Sequence, residues 1–341
     1  MVRRLVRRVF QRVFGSNLFR DAVRSAVLSE EFRSQMKSAL TDIIATSEFR
    51  KSLAPHYFGL AFEPDVNGMD PAGAVSRVDR GVQLLLLQQH RDRLARGETV
   101  PFAEAGFRAF SPNDEDGLLL YLFAILGTPT RRCIELGAGA GFDGYTTNLL
   151  VNHGFHGLLL ERDPALVAKA QLFYETRPDT CLAPPQIAEG ALHSGNVEAA
   201  VRSRGFSGDI DVLAIQLDGL DYWVWQALTC VNPRIVLVPY HPGFGPNEAK
   251  TVPDSAEFAY DPARPAYAGA SLLALQKLGE RKGYRLVGFN RPQSFAFFVR
   301  HDLAERELPA VSVASGLSLD RHRVMRESLQ ALLLKWDWVT L

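Results

Sequence analysis

The chain has 341 residues, a length that suits one core domain with an additional segment. Lysine and arginine together number 38, as do aspartate and glutamate, and this balance argues against nucleic-acid binding through an overall basic charge. The three cysteines lack a metal-ligand spacing, so neither a disulfide framework nor a zinc site is predicted. No apolar run reaches the roughly 20 residues of a membrane span, and we expect a cytoplasmic protein.

Residues 1–60 are predicted to form a helical arm with a basic face. In MVRRLVRRVFQRVF the apolar residues recur at the spacing of one helical face, and arginines occupy the other face. Such a helix packs on another subunit or on its own domain, or lies on an anionic membrane surface. We therefore expect a homo-oligomer formed through this arm, with peripheral membrane contact as the alternative. Nucleic acid is not an expected partner, because no aromatic residues alternate with the charges.

Residues 61–104 combine turn signals with the apolar helix VQLLLLQQHRDRL and are predicted to lead into the main domain. Strands and helices then alternate over residues 105–302. The predicted strands are, in chain order, RCIEL, GLLLE, IDVLAIQL, RIVLV, YRLVGF and FAFFVR. This alternation predicts an α/β fold with a doubly wound, mostly parallel sheet, for which we expect seven strands. Residues 303–341 are predicted to form a C-terminal helical tail.

The segment CIELGAGAGFDG follows the first predicted strand and carries glycines at 137, 139 and 141. A triphosphate-binding loop is excluded because no Gly-Lys-Ser/Thr follows. A dinucleotide fingerprint requires a third glycine at position 142, which is Phe142 here. An acid two residues before the first glycine, here Glu135, is instead typical of loops that bind S-adenosylmethionine. Glu161 ends the next strand, where its carboxylate could accept hydrogen bonds from two ribose hydroxyls.

From residue 110 to residue 300 the chain resembles a family of class I S-adenosylmethionine-dependent methyltransferase-like proteins. The specific blocks are DGLDYW and GASLLALQKLGERKGYRLVG, beside the more widely shared glycine loop. The resemblance implies that Gly137, Gly139 and Gly141 pass beneath the methionine and ribose of the cofactor. It also implies that Glu135 stands near the amino group of the cofactor and that Asp218 stands at the boundary between cofactor and substrate.

Members of this family often act in surface-polysaccharide or secondary-metabolite pathways, which implies an O-methyltransferase for a sugar or a sugar-bearing small molecule. The candidates for orienting the acceptor or taking its proton are Asp218, Asp221 and His241. A metal ion is not expected. The family pattern has polar groups at four positions where this chain has other residues, namely Pro112, Gln216, Pro239 and Phe295. These departures leave a second hypothesis open, a non-catalytic scaffold or regulatory subunit that assembles through the arm.

The segment from residue 241 to residue 267 is rich in proline and glycine and has no helix or strand period. Structureless loops of this length tend to carry function. It follows the strand RIVLV, so it could cover the acceptor site. The amphipathic sequence RHRVMRESLQALLLKWDWVTL in the tail is expected to dock on its own domain or on a partner subunit.

Overall fold

The computed structural model describes residues 76–341, and the predicted arm over residues 1–60 lies outside these described residues. Seven strands form one sheet in the order β3-β2-β1-β4-β5-β8-β7. The strands of this sheet are β1 (Arg132–Leu136), β2 (His156–Glu161), β3 (Gln186–Glu189), β4 (Gly208–Ile215), β5 (Val231–Pro239), β7 (Tyr284–Phe289) and β8 (Phe295–Arg300). Two shorter strands, β6 (Lys250–Thr251) and β9 (Val339–Thr340), pair with each other.

The strand order confirms the predicted sheet. Strands β1 to β5 pair with one another in parallel, and β1 lies between β2 and β4, well away from both edges. Strand β8 runs antiparallel to both of its neighbours, β5 and β7. The glycine loop therefore leaves the sheet at its centre, where ligands of such folds bind.

Both faces of the sheet are buried, because apolar residues follow one another along the central strands. Ile134 and Leu136 belong to one buried cluster, while Cys133, the residue before Ile134, belongs to the other. In β4, Leu213 and Ile215 likewise face the first cluster, and Val212 faces the second. Alternate side chains of a strand point to opposite faces, so each strand contributes to both layers of the core.

Helices cover the two faces, and their positions agree with the predicted pattern. They are α1 (Arg80–Ala95), α2 (Glu115–Leu126), α3 (Thr147–Asn152), α4 (Pro164–Thr176), α5 (Val197–Arg202), α6 (Asp221–Ala227), α7 (Leu272–Arg281) and α8 (Asp320–Leu333). Ser271 caps α7 by accepting a hydrogen bond from the Ala274 backbone. Within residues 76–341, no helix is both long and apolar enough to cross a membrane.

The C-terminal tail packs on the sheet domain. Strand β9 pairs antiparallel with β6, and the Leu341 backbone N–H donates to the Ala249 carbonyl at 2.9 Å. The rings of Trp338 and Phe244 meet edge to face at 4.7 Å between centroids. The sequence predicted docking on its own domain or on a partner subunit, and these contacts are made with its own domain.

Candidate functional site

A cavity of about 90 Å³ lies at the carboxyl ends of β1, β2, β3 and β4. The residues that line it come from the loops after these strands and from the segment after β6. They are Gly137, Leu160, Glu161, Arg162, Gly190, Ala191, Leu192, His193, Gln216, Leu217, Asp218, Leu220, Ala256 and Phe258. Three of the predicted site residues, Gly137, Glu161 and Asp218, are thus brought to one cavity.

The three glycines of the loop all have positive φ angles, but their surroundings differ. An added Cβ at Gly137 would lie 1.8 Å from the Gln216 carbonyl oxygen, so the close approach of β1 and β4 requires glycine there. At Gly141 the added atom would lie 2.7 Å from the Ala170 Cβ of α4. An added Cβ at Gly139 would have no atom of the described residues beyond its chain neighbours within 4 Å. Its backbone is therefore the open part of the loop, the part that a ligand could approach.

Glu161 is buried at the end of β2 and fastens the glycine loop. Its Oε2 accepts a hydrogen bond from the Gly139 backbone N–H at 2.8 Å. Its Oε1 accepts from the backbone N–H groups of Arg162 at 2.8 Å and Asp163 at 3.0 Å. A carboxylate offers about four lone-pair positions, so one position on Oε2 remains for a ribose hydroxyl. The sequence suggested two such bonds, and the backbone of the loop takes the place of one.

Asp218 lies in the loop after β4 with φ +49°, in the left-handed region that few residues other than glycine adopt. Its Oδ2 lies 3.5 Å from Nη2 of Arg162, which follows β2. This ion pair joins the ends of two strands across the lining of the cavity. Unusual backbone of this kind concentrates at functional sites, because surrounding contacts must hold it in place.

Glu135 lies beneath the loop and does not line the cavity. Its carboxylate accepts hydrogen bonds from the backbone N–H groups of Tyr145 and Thr146, each at 2.9 Å, and from the Thr146 hydroxyl. An added Cβ at Gly144 would lie 2.7 Å from the Glu135 Oε1. Burial raises the pKa of the Glu135 carboxyl to about 7. The resemblance implied contact with the amino group of the cofactor, whereas the geometry gives Glu135 the task of holding the turn before α3.

Asp221 is likewise engaged with backbone. It begins α6, and its two oxygens accept hydrogen bonds from the N–H groups of Leu217 at 2.7 Å and Gly219 at 3.1 Å. The side chain is buried and absent from the cavity lining, and burial raises the pKa of its carboxyl. The prediction that Asp221 meets the acceptor is therefore corrected: it shapes the loop that carries Asp218.

His241 follows β5 and is 2% exposed. Its Nε2 lies 3.0 Å from the Ala266 carbonyl, and its Nδ1 accepts a hydrogen bond from the Gly243 backbone at 3.0 Å. The rings of Phe244 and Trp338 pack against it at 4.9 and 5.7 Å between centroids. Burial lowers the pKa of His241 to about 4. The prediction that His241 converges with Asp218 is wrong, because both ring nitrogens are used inside an aromatic cluster away from the cavity.

Two positions that depart from the family pattern hold buried apolar residues. Phe295 is 2% exposed, and its ring lies 4.5 Å from the ring of Tyr145 between centroids. Pro239 at the end of β5 is also buried. Two of the four departures from the family pattern thus lie in the core. No group of three or more His, Cys, Asp or Glu side chains suited to a metal ion occurs in the described part of the chain.

Eleven of the fourteen lining residues were not predicted as site residues, and two of these are Ala256 and Phe258. Ala256 and Phe258 belong to the long segment after β6, which the sequence analysis predicted only as a possible cover of the acceptor site. Its length and its lack of helix or strand period were the available signals. Nothing in the sequence indicated that its phenylalanine would reach the cavity at the ends of β1, β2 and β4.

Several solved structures align with the chain at low identity. The CcbJ methyltransferase of Streptomyces caelestis is 14% identical, with 56% of this chain and 90% of that chain covered and a TM-score of 0.35. An S-adenosylmethionine-dependent methyltransferase of Clostridium acetobutylicum is 10% identical, with coverages of 64% and 98% and a TM-score of 0.36. The glycopeptide N-methyltransferase MtfA, complexed with S-adenosylmethionine, is 12% identical, with coverages of 51% and 82% and a TM-score of 0.31.

No protein-family model matches the sequence, and no curated protein matches it either. In the sheet of this chain, antiparallel β8 lies between β5 and β7, and the glycine loop follows the central strand β1.

Proposed function

We propose that this chain is an S-adenosylmethionine-dependent O-methyltransferase that acts on a sugar or a sugar-bearing small molecule. The observation that carries the proposal is the meeting of Gly137, Glu161 and Asp218 at one cavity, since they come from the ends of three different strands. Ligands of doubly wound sheets bind at this edge. The sugar acceptor is supported by the sequence resemblance described above.

The residues at the cavity fit the cofactor. Glu161 would accept a hydrogen bond from a ribose hydroxyl through the remaining position on Oε2. The open backbone at Gly139 would run beside the ribose and methionine portions. When bound, S-adenosylmethionine supplies a methyl group already activated by its sulfonium, so the protein has to align the acceptor and receive its proton.

Asp218 is the side chain to which we assign contact with the acceptor. It lines the cavity, and its position at the end of β4 is fixed by Asp221, which holds the N–H groups on both sides of it. Its carboxylate would orient an acceptor hydroxyl and take the proton as the methyl group is transferred. His241 has no part in this step, because its two nitrogens bond to backbone groups.

The cofactor assignment is tested by calorimetric binding of S-adenosylhomocysteine. We expect Glu161→Gln to weaken binding roughly tenfold, which is about 1.4 kcal/mol, because an amide N–H₂ cannot accept the ribose hydroxyl. The control is Glu189→Gln, since Glu189 pairs in register with Glu161 on β3 and does not line the cavity. Equal affinity for wild type and Glu161→Gln would remove Glu161 from the assignment, and no binding by wild type would contradict the cofactor.

The reaction is tested with labelled S-adenosylmethionine and extracts of the source cell. We expect methyl transfer by wild type and a loss of roughly 100-fold or more in Asp218→Asn, because general base catalysis typically contributes 10²–10⁴-fold. Asp209→Asn is the matched control, since Asp209 lies at the opposite end of β4. Undiminished transfer by Asp218→Asn would contradict the role of Asp218.

A second hypothesis is a methyltransferase-like scaffold that binds the cofactor without turnover. The observation that favours it is the burial of two residues expected at the acceptor: Phe295 packs on Tyr145, His241 is enclosed by Phe244 and Trp338, and neither Phe295 nor His241 lines the cavity. Tight binding of S-adenosylhomocysteine together with no transfer to any extract would support the scaffold. Its assembly through residues 1–60 stays a prediction.

A further inference from the structure

The segment between β6 and α7 crosses the cavity that the loops after β1 to β4 surround. Phe258 lines the cavity and rests on the loop that carries Asp218, since an added Cβ at Gly219 would lie 2.3 Å from the Phe258 Cε1. Gly219 has φ +143°. The Phe258 ring therefore occupies the space that a side chain at position 219 would fill.

A second contact fastens the same segment on the opposite side of the cavity. The Ser194 hydroxyl reaches both carboxylate oxygens of Asp254, at 2.8 and 2.9 Å. Ser194 directly follows His193, which lines the cavity after β3. Residues 254–258 thus extend from the end of β3 to the end of β4. We call residues 253–262 the strap.

Both ends of the strap are held more firmly than its middle. The Trp223 Nε1 donates to the Val252 carbonyl at 2.8 Å, and Val252 is fully buried. None of the residues 253–264 is buried, and the ion pair of Asp261 with Arg264 lies at the surface. Segments with few buried contacts open at low free-energy cost. The strap can therefore lift while its ends stay in place.

The C-terminal tail forms the support at the second end. The Tyr267 hydroxyl donates to the Asp337 carbonyl at 2.7 Å, and its ring lies 5.1 Å from Trp338 and 5.4 Å from Trp336 between centroids. The same Tyr267 ring lies 6.0 Å from the ring of Phe258. One residue thus joins the tail to the aromatic side chain over the cavity.

The cavity is small for a ligand site. Pockets that hold small molecules are roughly 300–1,000 Å³, whereas this cavity is about 90 Å³ with Phe258 and Ala256 over it. A nucleoside that carries an amino-acid chain needs more room than this. The strap is the part of the lining with the fewest buried residues, so it is the part that yields.

We propose that the strap opens to admit the cofactor and closes on it with Phe258, and that the tail sets the closed position through Tyr267. This inference rests on the proposed function. Phe258 is then a cofactor-contact residue, while Tyr267 and Trp338 are positioning residues. The tail would thereby control how long the cofactor or its product stays bound.

The first test measures the dissociation rate of S-adenosylhomocysteine from the full chain. We expect Phe258→Ala to increase this rate at least tenfold and Trp338→Ala to increase it by a smaller factor. In Trp338→Phe the rate should equal that of wild type. Leu182→Ala is the control, because Leu182 is exposed and lies outside the cavity lining. A rate in Phe258→Ala within twofold of wild type overturns the proposal.

The second test needs no ligand and separates the strap from the proposed function. Endoproteinase Glu-C can cut after Glu257, which is exposed in the middle of the strap. We expect cleavage there to be at least fivefold faster in Trp338→Ala than in wild type or Trp338→Phe. Equal cleavage rates overturn the role of the tail. If wild type failed to bind S-adenosylhomocysteine, the proposed function would be contradicted. The cleavage rates would still show whether the tail holds the strap.

Discussion

At the scale of single residues, the glycine loop shows that three identical residues can be required for different reasons. Gly137 is limited by the Gln216 carbonyl, Gly141 by helix α4, while Gly139 faces open space. The sequence predicted the loop from its spacing, but the spacing could not distinguish these surroundings. They depend on which strands and helices approach the loop in the folded chain.

This difference leads to a stability prediction. We expect Gly137→Ala to lower the free energy of unfolding by about 3–5 kcal/mol, because a left-handed backbone and an overlap with the Gln216 oxygen both oppose the methyl group. Gly139→Ala meets only the backbone cost and should lose about 1–2 kcal/mol. Urea denaturation of both variants measures the two values. Equal losses would mean that the close approach of β1 and β4 is not the limiting feature.

The acids and the histidine of the site illustrate what a sequence can say about side chains. Glu161 and Asp218 were predicted because they end strands whose carboxyl ends must share one edge of the sheet, and both line the cavity. Glu135, Asp221 and His241 were also near strand ends. Their side chains turn toward backbone N–H groups or carbonyls instead. Residue type and strand position could not show that these side chains form hydrogen bonds with the backbone instead of facing a ligand.

At the scale of elements, strong hydrophobic patterns gave reliable predictions and weak ones did not. The six named strands and the helices between them are present, because their apolar runs are long and buried on both faces. Strand β3 was not located from the sequence. It has four residues, follows Pro184 and Pro185, and has exposed ends at the edge of the sheet. Pairing with β2 forms it, and such pairing is not visible in a local pattern.

The long segment after β5 shows a second limit at this scale. Its composition indicated a functional loop, yet the elements that hold it come from distant parts of the chain. Strand β6 has two residues and forms only because β9 pairs with it. Contacts between segments far apart in sequence therefore decided where the strap lies, and the cover over the acceptor site stays a prediction.

At the scale of the whole molecule, buried titratable groups make stability depend on pH. Burial lowers the pKa of His241 to about 4 in the folded chain, from the usual histidine value of about 6.5. As the pH falls below 6.5, His241 becomes protonated in the unfolded chain but stays neutral in the folded chain. The free energy of unfolding therefore decreases between pH 6.5 and pH 4. Glu135 has the opposite sign, because its raised pKa of about 7 favours the fold at low pH.

The contribution of His241 to the pH dependence of the free energy of unfolding can be measured separately. Between pH 7 and pH 5 we expect His241 to account for a loss of about 2 kcal/mol in the free energy of unfolding. His241→Gln should reduce the wild-type loss by about that amount in urea denaturation. Phe244→Leu is the control, because it disturbs the same aromatic contact without removing a titratable group. An unchanged pH dependence in His241→Gln would show that the histidine titrates normally in the fold.

The position of β8 also affects how the protein is made. Strand β5 has β4 on one side and β8 on the other, and β8 comes later in the chain than α7 and β7. About 60 residues separate Pro239 from Arg300, so at roughly 5–20 residues per second of synthesis β8 is complete about 3–12 s after β5. During that interval one edge of an apolar strand lacks its partner, and such an edge can pair with other chains. Translation is therefore the stage at which this sheet is most open to aggregation, and at which a chaperone would have most effect.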